Sequence, residues 1–139
     1  MNAPLPPDAA SRAERQREAV AALSAVLPAH ALLWQSEDTI PYECDGLTAY
    51  RERPLVVALP ETEAQVAEAL KACHALKLPV VARGAGTGLS GGALPNPMGV
   101  TLSLAKFNKI LNVDRAARTA TVQAGVRNLA ISEAAAPYG

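Results

Sequence analysis

The sequence predicts an α+β fold, on three observations. An apolar run, a helix-periodic segment and a second apolar run succeed one another over residues 55–82, the pattern of a parallel strand–helix–strand unit. A glycine-rich loop follows at once, with five of the chain's nine glycines between Gly84 and Gly92. Beyond it lie three short apolar or alternating runs with no room for helices between them, which predicts short, mostly antiparallel strands.

"MNAPLPPDAA" holds three prolines and reads as a loose arm. Ser11 and Glu14 have capping-box spacing, and Val20, Leu23 and Leu27 share one face of the helix they would open, which Pro28 stops. "WQSEDTIPYECDGLTAYRERP" is a polar connector with a turn at Asp45-Gly46. "LVVAL" (55–59) is a buried strand ended by Pro60. Thr62 and Gln65 cap a helix to about Lys77 whose buried stripe is Val66, Ala69, Leu70, Cys73 and Leu76. "LPVVA" (78–82), "VTLSL" (100–104), "ILNV" (110–113) and "TATVQA" (119–124) are strands, with a turn at Asp114-Arg115. A last helix starts at Asn128, turns Leu129 and Ile131 inward, and stops at Pro137 and Gly139. Residues 1–50 thus form a helical extension and connector, and residues 51–139 the more regular α+β part.

Bulk properties narrow the function. A chain of 139 residues, 50% hydrophobic and 19% charged, can bury one globular core. Thirteen basic residues balance thirteen acidic ones, which argues against a protein built mainly to hold nucleic acid. The balance is uneven: residues 1–50 carry three basic and seven acidic residues, residues 51–139 ten and six. Ordinary scatter among solvated side chains explains that split as well as a cationic site does. Cys44 and Cys73 form no CxxC pair and have no nearby histidine cluster, so neither a disulfide framework nor a metal site is expected. The uncharged stretch Ala19–Trp34 is shorter than the ~20 apolar residues of a membrane span. Asp8, Glu14 and Glu18 upstream, and Pro28 and His30 within it, argue against a secretory leader despite "AHA" at 29–31. A cytoplasmic protein without a transmembrane segment is the expectation.

The glycine loop carries the functional signal. Gly86-x-Gly88-x-x-Gly91 matches the dinucleotide template, but Pro95 and Pro97 leave little room for the helix that template requires, and no carboxylate lies between Pro97 and Ile110. No Gly-Lys-Ser/Thr follows, so a Walker loop is excluded. What remains is an irregular loop whose consecutive N–H groups can form a nest for an anion, with hydroxyls from Thr87 and Ser90 and a charge from Arg83 at its entrance. The other reading is a glycine crossing where two stretches of backbone pack closely. A free-standing, non-catalytic nucleotide- or anion-binding module would use the same loop. His30 and His74 read as structural, Trp34 as core or interface, and Asp114 as a turn residue, so no catalytic residue is assigned.

"PLVVALPETEAQVAEALKACHALKLPVVARGAGTGLSGGALP" with "TLSLAKFNKILNVDRAARTATVQAGVRNLAISEAAAPYG" resembles the N-terminal part of the FAD-binding domain in the vanillyl-alcohol oxidase and p-cresol methylhydroxylase (PCMH-type) superfamily. Within it, the likeness runs to the FAD-linked subunit of bacterial glycolate oxidase and its D-lactate dehydrogenase relatives. It covers about residues 40–139. The resemblance implies that Gly84, Ala85, Gly86, Thr87 and Gly88 offer backbone contacts to the FAD pyrophosphate. Arg83 would stand at the entrance, Leu89, Ser90, Gly91 and Gly92 would continue the wall, and Gly125 would pass close to the flavin. Relatives that tether flavin covalently often carry histidine in an "RSGGH" version of the loop; Thr87 at that position implies non-covalent FAD. The resemblance further implies oxidation of a small 2-hydroxy acid by hydride transfer to flavin, partner subunits of a glycolate oxidase complex, and a peripheral place at the inner membrane through them. It puts the rest of the FAD domain, the substrate cap and the catalytic base beyond Gly139, so that these residues alone are expected to be inactive and prone to aggregate.

Overall fold

A computed structural model describes residues 8–139. Most of the proline-rich arm lies outside the described residues. Helix α1 (Ala9–Ser24) begins earlier than its sequence signal, because Asp8 and not Ser11 is the cap: its Oδ1 accepts from the Ser11 N–H at 2.7 Å. With Asp8 capping the amide of Ser11 itself, the helix is already under way where the serine signal would begin it. Ala19 and Leu23 face inward from α1, and Leu27 joins them beyond its end.

Strands β1 (Leu32–Leu33), β2 (Val56–Ala58), β3 (Val80–Arg83) and β4 (Val100–Ser103) form one sheet in the order β1-β2-β4-β3. β4 lies between β2 and β3 and is parallel to both, pairing Thr101 with Val57 on one side and Val81 on the other. The glycine loop thus leads first into a parallel strand, while the two later strands are antiparallel, in keeping with the expectation of mostly antiparallel strands there. The loop is itself the crossover of roughly a dozen residues that a parallel connection needs, without a helix. β1 is antiparallel to β2 and too short to register as a strand in the sequence. The expected antiparallel pairing holds for the hairpin of β5 (Ile110–Asp114) and β6 (Thr119–Val122). Its turn is held by Asp114 Oδ1 accepting from Ala117 N–H at 2.9 Å.

Between β1 and β2 the connector contains the single turn α2 (Ser36–Thr39) and a 3-10 turn at Ile40–Tyr42. Helix α3 (Glu63–Ala75) starts where its capping signal says, with Thr62 Oγ1 accepting from Gln65 N–H at 3.2 Å; the Gln65 amide oxygen reaches back to Glu61 N–H at 2.7 Å, one residue beyond the usual box. Its inward stripe is Val66, Ala69, Cys73 and Leu76, whereas Leu70 is 43% exposed, one helical step off that face. Burial pushes the Cys73 thiol up from its ordinary pKa, the state of an unreactive core cysteine. Helix α4 (Asn128–Ala135) follows the hairpin; contrary to expectation, Leu129 is 67% exposed, while Ile131 is half-buried.

Helices α1 and α3 and the four-stranded sheet share one apolar core, with Leu23, Leu55, Val56, Ala69, Val100 and Leu102 among its members. The Arg12 guanidinium ties α1 to the sheet by donating to the Pro97 and Pro54 carbonyls, and Gln16 donates to Leu55 O at 2.8 Å. Partial burial, then the neighbouring Arg53 charge, lowers the Arg12 pKa from its ordinary value. The first helix is therefore part of the same packed body as the glycine loop.

At the centre of the sheet the fully buried Thr101 Oγ1 has no hydrogen-bond partner among the described residues. A methyl group of the same shape removes that cost, so Thr101→Val is expected to raise unfolding stability by about 1 kcal/mol, read from the shift of a urea midpoint at constant slope.

Candidate functional site

Parallel strands present their carboxyl ends on one edge of a sheet, where loops and ligands gather. Here β3 ends at Arg83 and hands over to Gly84 and Ala85, and β4 ends at Ser103 and hands over to Ala105 and Asn108. The two exits are tied by Leu104 N–H donating to Arg83 O at 3.1 Å. The turn after β6 folds back onto them, with Gly125 N–H donating to Phe107 O at 2.7 Å. These three exits enclose an open cleft of about 470 Å³ lined by Gly84, Ala85, Ala105, Asn108, Gly125, Val126, Arg127 and Ala130. A larger cleft of about 710 Å³, between the β5–β6 hairpin and α4, contains none of the residues expected to bind the cofactor.

The glycines of the loop divide by cause. Gly86 and Gly91 sit at φ +71° and +73°, the left-handed region that favours glycine. Gly84, Gly88 and Gly92 are different: a Cβ built on any of them meets nothing within 4 Å. No neighbouring backbone demands glycine there, so the crossing explanation fails for these three, and their bare main chain borders open space. Gly84, Ala85, Thr87, Gly88, Leu89, Ser90 and Gly92 are all exposed. A run of uncovered backbone on the carboxyl edge of a parallel sheet is a surface on which a diphosphate can lie against N–H groups. Through residue 99 the loop contains no helix, which removes the nicotinamide-type reading.

Of the sequence-predicted residues, Gly84, Ala85 and Gly125 meet in the cleft. Gly86 through Gly92 extend away from it as the loop's exposed rim and its underside. Gly125 has a packing reason of its own, because a Cβ there would lie 2.8 Å from the Phe107 carbonyl oxygen and still closer to that of Leu104. Arg83 turns away from the rim. Its Nη1 donates to Cys44 O at 2.8 Å, and its guanidinium stacks 5.4 Å over the Tyr42 ring. The cation in the cleft is instead Arg127, together with Asn108, neither of which the motif-based reading had singled out. Arg127 had a positional signal in the sequence, since it directly follows "QAGV" and immediately precedes the predicted helix start at Asn128.

The histidines lie outside the cleft's lining: His30 Nε2 is 3.1 Å from Glu61 Oε1, and His74 is exposed on α3. Trp34 is 40% exposed and donates no part to the cleft. Among the described residues, no group of three or more His, Cys, Asp or Glu side chains is placed to hold a metal ion, and no helix is long and apolar enough to cross a membrane.

Comparison with known proteins agrees with this geometry. Residues 54–139 match the FAD binding domain family. The chain is 56% identical over 117 residues to the glycolate oxidase subunit GlcD of Escherichia coli, covering 84% of this chain and 23% of that protein. It is 41% identical over 83 residues to a D-lactate dehydrogenase of Anaerostipes hadrus, covering 59% of this chain and 18% of the relative. Its structure superimposes on p-cresol methylhydroxylase with a TM-score of 0.78 at 25% identity, over 89% of this chain and 25% of the other. The chain thus spans about a quarter or less of the relatives it matches. With its parallel β2–β4–β3 sheet and uncovered glycine loop, the chain belongs to the FAD-binding domain family of PCMH type, and FAD is its cofactor.

Proposed function

We propose that this chain is the diphosphate-binding part of an FAD-linked oxidoreductase that oxidises a small 2-hydroxy acid of glycolate or D-lactate type. The observation that carries the reading is the uncovered main chain at Gly84, Gly88 and Gly92 beside a cleft holding Gly125 and Arg127. Residues Gly84–Gly88 supply N–H donors to the cofactor's pyrophosphate, Leu89–Gly92 continue that wall, and Gly125 lets the chain pass close beside it. When bound, the flavin would supply an acceptor for the α-carbon hydride of the hydroxy acid, which becomes a 2-oxo acid as its hydroxyl proton passes to a base. The work of these residues is to hold and orient the nucleotide and to keep its phosphates paired. The name of the Escherichia coli relative supports both the substrate class and partner subunits of a glycolate oxidase complex. We further infer a cytoplasmic protein that reaches the inner membrane only through such subunits.

Non-covalent attachment is part of the proposal. Thr87 stands where a tethering histidine would be, and neither His30 nor His74 lines the cleft. Acid precipitation of the purified full-length protein should therefore release all of its yellow colour into the supernatant; colour retained in the pellet would refute it. Anaerobic addition of glycolate and D-lactate should bleach the flavin absorbance. If no 2-hydroxy acid bleaches it, the assignment of substrate class fails.

The exposed Arg127 acts on the nucleotide through solvent-screened charge. Arg127→Gln is expected to weaken FAD binding about fivefold at low salt, corresponding to ~1 kcal/mol, with the difference shrinking as salt is added. Flavin fluorescence titrations at two ionic strengths measure it.

A further inference from the structure

The underside of the glycine loop rests on Tyr42–Leu47, a segment that precedes the matched family region at residue 54. Four contacts converge there. Arg83, at the loop's start, is held by the Cys44 carbonyl and the Tyr42 ring, and its guanidinium lies against the Gly86 Cα, filling the place of a side chain. Gly46 passes so close beneath the loop that a Cβ would lie 2.7 Å from Thr87 O and 2.8 Å from Gly88 O. Leu47 reaches the Gly91 position, where a Cβ would sit 3.9 Å from its methyl group. Asp45, only 4% exposed, accepts from Leu47 N–H at 2.9 Å through Oδ1 and from Ala93 N–H at 3.4 Å through Oδ2, so one buried carboxylate joins the floor to the loop's far end.

We propose that Asp45 is a positioning residue for the cofactor: from beneath, it holds the Arg83–Ala93 loop in the shape that presents its N–H groups upward. Resting on the reading above that this loop binds FAD, the inference adds where the loop's order comes from. A loop so rich in glycine has an unusually large conformational entropy to lose. With its underside pinned, that loss is met on folding and not on binding. Apparent affinity falls in proportion to the fraction of molecules whose loop is correctly shaped, so a floor that keeps that fraction near one is worth its full reciprocal in Kd. Two acceptor oxygens are needed, because two N–H donors converge on the side chain. An asparagine has one carbonyl oxygen and would turn its amide N–H toward the other donor.

The test uses the full-length protein and three variants, Asp45→Asn, Asp45→Ala and Gly46→Ala, with free FAD as the probe. Dissociation constants for FAD are measured beside hydrogen exchange of the apoprotein. The expected result is a rise in Kd of about threefold for Asp45→Asn and roughly tenfold or more for Asp45→Ala and Gly46→Ala. Faster exchange should be confined to residues 84–93, with β2 and β4 protected as before. Kd values within twofold of the parent for all three variants would overturn the proposal. So would an affinity loss accompanied by equal loosening of the sheet, since that is what a merely structural role produces. At saturating FAD the extent of bleaching by a 2-hydroxy acid should match the parent's; a failure to bleach in parent and variants alike would count against the substrate assignment and leave the positioning result standing. Should Asp45→Ala fail to fold, Asp45→Asn, which keeps one acceptor and the side-chain volume, still decides.

Discussion

Gly84→Val is expected to weaken FAD binding roughly tenfold or more while leaving the cofactor-free protein almost as stable as the parent. The expectation follows from what surrounds the residue. Gly84 is exposed, its φ is not in the left-handed region, and a Cβ on it meets nothing within 4 Å, so valine costs the fold little. A surface substitution of this kind typically moves stability by no more than about 0.5 kcal/mol, equivalent to ~2 °C in melting temperature for a chain of this size. The same side chain would stand in the cleft between Ala85 and Gly125, between the nucleotide and the N–H groups it needs. Flavin titration and thermal melting of the apoprotein read the two effects separately. An unchanged affinity would mean that this bare backbone serves no ligand.

Gly125→Ala should do the reverse and strike the fold first. Its Cβ would overlap the carbonyl oxygens of Leu104 and Phe107. Those carbonyls cannot move aside easily: Phe107 O accepts from Gly125 N–H at 2.7 Å, and Leu104 O accepts from Phe107 N–H at 2.9 Å. Relief would require separating β6 from the exit of β4, which also carries the cleft. A loss of about 3 kcal/mol in unfolding free energy is expected, at the upper end of what overpacking costs. Chemical denaturation of the apoprotein measures it. A neutral outcome would show that the turn after β6 is looser than its hydrogen bonds indicate. Together the two variants separate glycine kept for a ligand from glycine kept for packing, a distinction that the loop's composition cannot make.

Much of the fold was legible because its signals are local. The Thr62 cap needs only an oxygen within reach of an amide three residues on, and β2 needs only a run of branched apolar residues between turns. Where two cap signals lay three residues apart, as Asp8 and Ser11 do at the start of α1, the helix began at the earlier one, whose carboxylate caps the Ser11 amide. Leu70 and Leu129 were misjudged because periodicity identifies an apolar face but not how wide a face the neighbours cover. The insertion of β4 between β2 and β3 was out of reach for a different reason: strand order is decided by pairing across the chain, to which the runs 55–59 and 100–104 contribute equally good edges.

Local patterns sufficed for the α+β class, the family and the glycine loop to which we assign FAD binding, since glycine spacing, strand composition and capping residues act over a few neighbouring positions. Tertiary structure alone decided the roles within that loop. It drew Arg83 down onto Cys44 and Tyr42, brought Arg127 to the cleft, and set the buried Asp45 under residues nearly fifty positions away. The physical reason is that a side chain's charge or hydrogen bond is spent on whichever partner packing brings within about 3 Å, and packing across the sheet is a property of the whole chain and of no short stretch of it.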